Sequence, residues 1–287
     1  MYWDQQISMP RFDDILGLEE LGDDCYQGAK SPDQAERMFG GFLIGQALAA
    51  CQQTVKPDRA VHSLHCYFLR PGDTTQQVQY DVSRVRDGRS FSHRQVAATQ
   101  NGKEIFQFIC SYAVASESPT FVGCPAPHAP GPSEVDYTYT DFCRDQMPDP
   151  DYIRDFKNRP FEIKYINPPT EFEPSAEIEN QLMWMRLNWD LSEDPHVHDA
   201  GVAYLSDSTL IDHITLPHGK RWQDSDFDGT SLDHAMWFHQ TVRADEWLLF
   251  DQKVEWTGDG RGVASGRIYT ESGTLVATCM QEGLMRF

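Results

Sequence analysis

Residues 62–68, His62-Ser-Leu-His-Cys-Tyr-Phe68, return in degenerate form near the end of the chain as Ser231-Leu-Asp-His-Ala-Met-Trp-Phe238. Each copy is followed by a strand-like alternation, a turn, another strand, a second turn and a closing apolar strand. The turns are Asp87-Gly-Arg89 and Asn101-Gly102 in the first copy, and Asp259-Gly-Arg261 and Ser272-Gly273 in the second. Solenoid repeats are about 20–50 residues long, so this longer period predicts two copies of a small domain that pack together.

A helix is predicted ahead of the repeated strand in each copy. In the first copy, apolar residues follow helical spacing until Pro57 stops the pattern, at Ile44, Ala47, Leu48, Cys51 and Val55. This thin apolar stripe, followed by strands joined through glycine turns, predicts a helix buried on one side and wrapped in a curved antiparallel sheet. The second helix is predicted over residues 201–214, with Asp207 in its middle.

The composition divides the chain into three parts. Ten of the 17 prolines lie between residues 119 and 169, where regular apolar patterns are rare. We therefore predict an N-terminal unit over residues 1–118, a proline-rich linker over 119–160 and a C-terminal unit over 161–287. The predicted fold class is α+β, with two tandem units that each wrap a sheet round a helix.

Bulk composition excludes several classes of partner. The formal charge of −20 argues against nucleic acid or an anionic membrane, because both attract basic surfaces. No apolar run approaches the roughly 20 residues that span a bilayer, and the first residues lack the pattern of a signal peptide. Seven scattered cysteines without a Cys-x-x-Cys pair predict reduced thiols and a cytoplasmic location.

One segment departs from the acidic composition. Between residues 84 and 103 a single acid, Asp87, accompanies five basic residues: Arg84, Arg86, Arg89, Arg94 and Lys103. Such clusters are usually a solvated sheet face, and an anion site is the alternative.

Common catalytic motifs are missing from the sequence. It contains no Gly-x-Ser-x-Gly elbow, no phosphate-binding Gly-x-x-x-x-Gly-Lys loop and no dinucleotide-binding glycine motif. The run His196-Val-His198-Asp199 has no complementary ligand cluster, so we interpret it as loop or cap residues and predict no metal site. We interpret His234 and His239 as core or strand-edge histidines.

Asp207 is the first candidate for chemistry. An ionised carboxylate within an apolar helix costs several kcal/mol unless it finds donors or its pKa rises. Laid on the first copy, Asp207 falls roughly on Gln46, and the second copy supplies two further polar groups. Ser231 opens the repeated strand, and Gln281, which aligns with Cys110, interrupts the last one. Asp207, Ser231 and Gln281 together predict a site with a base, a hydroxyl and an amide.

These residues carry a resemblance to a known family. The chain resembles the acyl-CoA thioesterase II family in the following stretches: Gly40–Leu48, Val61–Asp73, Tyr204–Asp207, Ser231–His239, Glu246–Leu249 and Gln281–Arg286. The resemblance covers nearly the whole chain apart from the proline-rich linker. It implies a double hotdog fold, further assembly into a homodimer or homotetramer, and hydrolysis of fatty acyl-CoA to free acid and CoA without a covalent intermediate.

The same resemblance implies roles for the candidate residues. Asp207, Ser231 and Gln281 match the Asp, the Thr or Ser, and the Gln that the family uses on a water molecule. Thr230 is adjacent, but the Leu-Asp-His that follows identifies Ser231 as the matching hydroxyl. No metal or redox cofactor is required. The phosphates of CoA would need basic side chains, for which the segment 84–103, Arg243 and Lys253 are candidates.

Two other functions remain open. A hotdog hydratase or dehydratase acting on acyl-CoA would use an Asp–His pair, and Asp212 and His213 follow Asp207 closely. A non-catalytic acyl-CoA-binding protein on a degenerate hotdog is the second alternative. A thiol-release assay separates that binding protein from a thioesterase.

Overall fold

The computed structural model describes residues 11–32, 37–139, 141, 160–167, 180–220 and 226–287. The helices among these residues are α1 (Phe12–Ile15), α2 (Gly40–Gln52), α3 (Pro195–Ser206) and two 3₁₀ helices, Pro132–Glu134 and Leu210–His218. The strands of the first half are β1 (Leu18–Gly22), β2 (Cys25–Gly28), β3 (Arg59–Phe68), β4 (Gln79–Asp87), β5 (Phe91–Gln100) and β6 (Lys103–Val114). Those of the second half are β7 (Phe161–Tyr165), β8 (Asn180–Leu187), β9 (Asp228–Ser231), β10 (Asp233–Phe238), β11 (Leu248–Gly258), β12 (Arg261–Thr270) and β13 (Leu275–Arg286).

The strands form one antiparallel sheet, and its two halves have equivalent strand orders when each is followed outward from the strand at their junction. The first half runs β1-β2-β4-β5-β6-β3, the second runs β10-β13-β12-β11-β8-β7, and β9 pairs with β13. The halves join where β3 pairs with β10, the two strands that carry the repeated sequence, with His65 opposite Ala235. The duplication read from the sequence is therefore a near-twofold arrangement of the whole sheet.

Two of the predicted turns close tight hairpins. Asn101-Gly102 and Asp259-Gly260 all have positive φ angles, as the two central residues of a type I′ turn require. Asn, Asp and Gly tolerate this left-handed region, so these dipeptides select the turn that matches strand twist.

The two long helices pack against each other inside the curved sheet. Every residue of α2 except Gly40 is buried, including Gly45, which faces the backbone of α3. The prediction of a helix buried on one side was therefore wrong, because α3 covers the side of α2 that the sheet leaves open. None of the helices in the described parts of the chain has both the length and the apolar character that crossing a bilayer requires.

The predicted bounds of the second helix also need correction. Helix α3 starts at Pro195, which suits a first helical position, and the Asp194 side chain caps it by accepting from the His196 amide over 3.0 Å. It ends at Ser206, where the Ser208 hydroxyl donates to the Leu205 carbonyl and the Ser206 hydroxyl lies within hydrogen-bonding distance of the Ala203 carbonyl. Such side-chain donors compete with helical hydrogen bonds. Asp207 therefore lies at the end of the helix and not in its middle.

The described part of the proline-rich segment packs on the second half of the sheet. The Trp184 indole donates to the Pro130 carbonyl over 3.0 Å, and the Tyr269 hydroxyl donates to the Cys124 carbonyl over 3.2 Å. Val135 is buried in a small apolar cluster with Trp184 and Tyr269. The boundaries of the three predicted parts stay a prediction.

Candidate active site

The side-chain amide of Gln281 connects the three predicted site residues. Its nitrogen donates to Asp207 Oδ1 over 2.6 Å and to Ser231 Oγ over 3.0 Å. Gln281 is 1 % exposed and Asp207 is 7 % exposed, so the bond between them is buried, whereas Ser231 is half-buried. The structure thus brings together the carboxylate, the hydroxyl and the amide that the sequence singled out.

The pairing of the short strand β9 with the long strand β13 places Ser231 beside Gln281. Ser231 ends β9, a four-residue strand that pairs with the end of β13, where Ser231 lies opposite Gly283. Gln281 precedes Gly283 by two positions, so its side chain points to the same face of β13. That face is the interior one, because Gln281 itself is buried.

The first half of the chain supplies the other wall of the site. A Cβ atom added to Gly40 would lie 2.5 Å from Asp207 Oδ2 and 2.8 Å from the Phe68 ring. Glycine at this position therefore lets the start of α2 approach the carboxylate closely. The positive end of the α2 dipole faces Asp207 Oδ2, which stabilises a negative charge there. Sequence analysis missed Gly40 and Phe68 as site residues, although both lie within the stretches that carry the resemblance.

The counterpart of Asp207 in the first half is not Gln46. Asp207 follows the last residue of α3, and the residue that follows the last residue of α2 is Gln53. Gln46 lies inside α2, where it accepts from the Tyr80 hydroxyl over 2.8 Å and donates to the Ile15 carbonyl over 2.7 Å. Its amide is a buried structural group.

The alignment of Gln281 with Cys110 made from the sequence agrees with the positions of the two residues in the sheet. Ala235 pairs with Met280, and the equivalent His65 pairs with Ile109, so the next residues along β13 and β6 are Gln281 and Cys110. Cys110 lies opposite Arg94, whereas Gln281 lies opposite Ala264. The first half therefore has a thiol where the second half has the amide.

Arg84 and Arg94 of the basic segment 84–103 lie at the end of α2 away from this site, whereas Lys103 lies beside Glu104, whose carbonyl accepts from Arg70. Arg94 is 1 % exposed and donates to Thr54, just beyond the C-terminal end of α2, and to Asp87. Arg84 is paired with Asp24 at 2.6 Å. Asp207 faces the opposite end of this 13-residue helix, about 20 Å away.

The other two basic candidates are also engaged in ion pairs. Arg243 binds Asp245 at 2.8 Å and Glu193 at 2.7 Å, and these acids raise the pKa of its guanidinium. Lys253 lies 3.7 Å from Glu255.

The run 196–199 lies in the first turns of α3 and not in a loop. The His198 Nδ1 atom accepts from the Ala244 amide over 3.1 Å, while the His196 carbonyl accepts from Gln52. Burial raises the pKa of the Asp199 carboxyl to about 7, with a further contribution from the charge of Asp194. Within the described ranges, no group of three or more His, Cys, Asp or Glu side chains is arranged to hold a metal ion.

Family models match both halves of the chain. Residues 29–113 match a model described as the acyl-CoA thioesterase N-terminal domain, and residues 132–285 match one described as the acyl-CoA thioesterase C-terminal domain. The second match includes Asp207, Ser231 and Gln281.

Individual proteins are similar over almost the full length. The chain is 38 % identical to acyl-coenzyme A thioesterase 8 of Homo sapiens over 282 residues, which cover 95 % of this chain and 88 % of that protein. The crystal structure of an acyl-CoA thioesterase II from Mycobacterium marinum is 35 % identical and superimposes with a TM-score of 0.79, covering 96 % of this chain and 98 % of that one.

A more distant structure bears on the fold alone. A protein of Alicyclobacillus acidocaldarius described as having a hot dog fold superimposes with a TM-score of 0.75 at 19 % identity, covering 96 % of this chain and 98 % of that one. The predicted double hotdog fold is confirmed.

Proposed function

The chain belongs to the acyl-CoA thioesterase family, and we infer from this membership that it is an enzyme that hydrolyses acyl-CoA thioesters. We propose further that Asp207, Ser231 and Gln281 carry the reaction and that its substrates are fatty acyl-CoA esters. The observation that carries the assignment is the Gln281 amide, which donates to both Asp207 and Ser231.

The hydrogen bonds leave a defined role for a water molecule. Both amide protons of Gln281 are used, one on Asp207 Oδ1 and one on Ser231 Oγ. A water between the two oxygen-bearing side chains would donate a proton to Asp207 and exchange hydrogen bonds with the Ser231 hydroxyl. Asp207 then acts as general base, and the oriented water attacks the thioester carbonyl. The C–S bond breaks, and the proton taken up by Asp207 passes to the CoA thiolate.

The start of α2 is suited to the charge that develops on the carbonyl oxygen. Gly40 begins α2 and lies against Asp207, so a thioester held at this carboxylate would have its carbonyl near the first amides of the helix. Backbone amides at the positive end of a 13-residue helix stabilise an oxyanion. Base and oxyanion donors thus come from different halves of the chain.

Among the residues that the structure describes, no side chain able to remove a proton is hydrogen-bonded to Ser231, as a serine nucleophile would require. Its described hydrogen bond is to Gln281 Nε2, an amide that cannot remove a proton. The nearby imidazole of His234 binds Ser206 instead, with Nε2 lying 2.9 Å from that hydroxyl. We therefore propose direct hydrolysis by water without an acyl-enzyme.

Two exposed arginines lie close in the chain to the residues around Gly40. Arg37 is three residues before Gly40, and Arg70 is two residues after Phe68, whose ring contacts the Gly40 position. The Met38 amide donates to the Gly72 carbonyl over 3.0 Å, which holds the two segments side by side. We propose Arg37 and Arg70 as the phosphate contacts, in place of the arginines of the segment 84–103, Arg243 and Lys253.

The hydratase or dehydratase alternative has little support at its proposed pair. His213 is buried, its Nδ1 atom faces the carbonyls of Thr209 and Leu210, and its Nε2 atom binds Gln181. Burial lowers the pKa of this imidazole to about 4, so it remains neutral and held within the core.

We also propose a cytoplasmic homodimer or homotetramer. The six described cysteines are free, as expected in a reducing compartment. The outer face at the junction of the two halves exposes the apolar side chains Tyr67, Ile109, Trp237 and Met280. This patch is centred on the His65–Ala235 pair and is nearly twofold symmetric, which suits contact with a second copy. Trp237→Glu should lower the molar mass measured by light scattering, and an unchanged mass would argue against this contact.

Release of CoA from acyl-CoA esters of increasing length tests the proposed function. We expect turnover with fatty acyl esters, detected by a thiol reagent, and its loss in Asp207→Asn. Binding of acyl-CoA without thiol release would identify the non-catalytic alternative. Hydration of an enoyl-CoA with an intact thioester would identify the hydratase.

A further inference from the structure

The histidine opposite Gln281 has no role in the reaction scheme above. In the antiparallel pairing of β10 with β13, Ala235 lies opposite Met280, so the next step places His234 opposite Gln281. Cross-strand neighbours on one face have Cβ atoms about 5 Å apart, within reach of an imidazole and an amide. Both residues are 1 % exposed and face the interior.

Each of the two side chains has one polar atom without another partner. His234 Nδ1 and Gln281 Oε1 are both buried, and neither has a hydrogen-bond partner of standard geometry among the described residues. The remaining polar atoms are engaged: His234 Nε2 lies 2.9 Å from Ser206 Oγ, and Gln281 Nε2 binds Asp207 and Ser231. A buried donor and a buried acceptor on neighbouring positions complete each other, since leaving either unsatisfied is costly.

The charge of Asp207 fixes the direction of this bond. With Gln281 flipped, its carbonyl oxygen would face Asp207 Oδ1 at 2.6 Å, and two acceptors at that distance repel each other. The amide oxygen therefore faces His234, which donates from Nδ1. Its Nε2 atom then accepts the single proton of the Ser206 hydroxyl, which lies 2.9 Å from both that nitrogen and the Ala203 carbonyl.

The imidazole stays neutral and keeps this arrangement across the working pH range. Burial lowers the pKa of His234 to about 4, and the bond to the Gln281 side chain acts in the opposite sense by favouring the protonated ring. A hydrogen bond raises the pKa of an imidazole when the ring donates the proton, so the Gln281 oxygen is the acceptor and His234 the donor, as inferred from the charge of Asp207.

We propose that His234 is a positioning residue that holds the Gln281 amide with its nitrogen toward Asp207 and Ser231. This inference rests on the proposed function of those three residues. The contribution of His234 is greatest after Asp207 has taken a proton from water, because the neutral acid no longer fixes the orientation of the Gln281 amide. Sequence analysis assigned His234 to the core or a strand edge, and only the register shows that it faces Gln281.

A double-mutant cycle between His234 and Gln281 tests the proposal. His234→Leu should lower kcat roughly ten- to hundredfold with little change in KM, since substrate contacts remain. In a Gln281→Met background the same substitution should change kcat less than about twofold. His234→Gln, which can donate and accept at similar positions, should recover part of the loss.

His62→Leu is the matched control. His62 lies on β3, the strand next to β10, and its imidazole is hydrogen-bonded to the Ser111 hydroxyl over 2.8 Å. We expect its kcat to stay near that of the parent. An equal loss from His234→Leu in both backgrounds would show a merely structural role and overturn the proposal. Full activity of both Gln281→Met and Asp207→Asn would instead overturn the proposed function of the site.

The tautomer of His234 provides a second test in the unaltered protein. Nitrogen-15 NMR of histidine-labelled protein should show Nδ1 protonated and Nε2 unprotonated at neutral pH. A proton on Nε2 alone would contradict the proposal even if the variants failed to fold.

Discussion

The Gln281 amide nitrogen donates to Asp207 Oδ1 over 2.6 Å, although 74 positions separate the two residues in the chain. Gln281 lies in the last strand and Asp207 at the end of a helix, so both elements must be in place before the bond forms. Because the same nitrogen binds Ser231, a change at any of the three residues alters the hydrogen bonds of the other two.

Asp207→Asn should abolish most of the activity. Asparagine keeps the size of the side chain and can offer an oxygen to Gln281, but it cannot accept a proton from water. We expect kcat to fall by roughly 10²–10⁴, the usual loss of a general base, with the thermal melting temperature preserved. Asp199→Asn, at the other end of α3, is the control and should keep its kcat. Near-native turnover by a folded Asp207→Asn would refute the assignment of the base.

Ser231→Thr should retain most of the activity, since a threonine keeps the hydroxyl that accepts from Gln281. Ser231→Ala should lose one hydrogen bond, which corresponds to about 1–3 kcal/mol of transition-state free energy. Steady-state kinetics measure both effects. A nucleophilic serine would instead give an inactive alanine variant and a burst of CoA, and mass spectrometry would detect the acyl group on Ser231.

Arg70→Gln should weaken the binding of CoA without touching the chemistry. Loss of one charged contact to phosphate raises KM roughly tenfold for an acyl-CoA, with kcat little changed. The KM for an acyl-N-acetylcysteamine, which lacks the nucleotide, should not change. Arg84→Gln removes an exposed arginine at the far end of α2 and serves as the control. An equal rise in KM for both substrates, or for both variants, would contradict the proposed phosphate contact.

Asp199→Asn should stabilise the protein at alkaline pH. Burial raises the pKa of Asp199 from its ordinary value of 3.8 to about 7. Between these values the folded state binds a proton that the unfolded state lacks, so this residue lowers stability as the pH rises through the window. The asparagine is neutral in both states. Urea unfolding should show the variant more stable at pH 8 by on the order of 4 kcal/mol, and nearly equal to the parent at pH 4. A pH-independent difference would mean that the Asp199 pKa is not raised.

The sequence alone determined the architecture, because local patterns of residues specify the strands and turns from which the fold is built. The repeated strands at 62–68 and 231–238 predicted two units, and Asn101-Gly102 and Asp259-Gly260 predicted turns through their tolerance of positive φ. The motifs around Asp207, Ser231 and Gln281 gave the three polar residues that the structure brings together.

Only the tertiary structure decided where those residues stand and what surrounds them. The end of α3 at Ser206 depends on competing side-chain donors, and full burial of α2 depends on α3, so helical periodicity alone placed Asp207 mid-helix and left one side of α2 exposed. The role inferred for His234 depends on strand register, which aligns it with Gln281 although the two residues are 47 positions apart along the chain. The closeness of Gly40 to Asp207 likewise exists only once the two halves pack. Such long-range relations arise from packing and backbone pairing between distant segments, and no local pattern of residues encodes them.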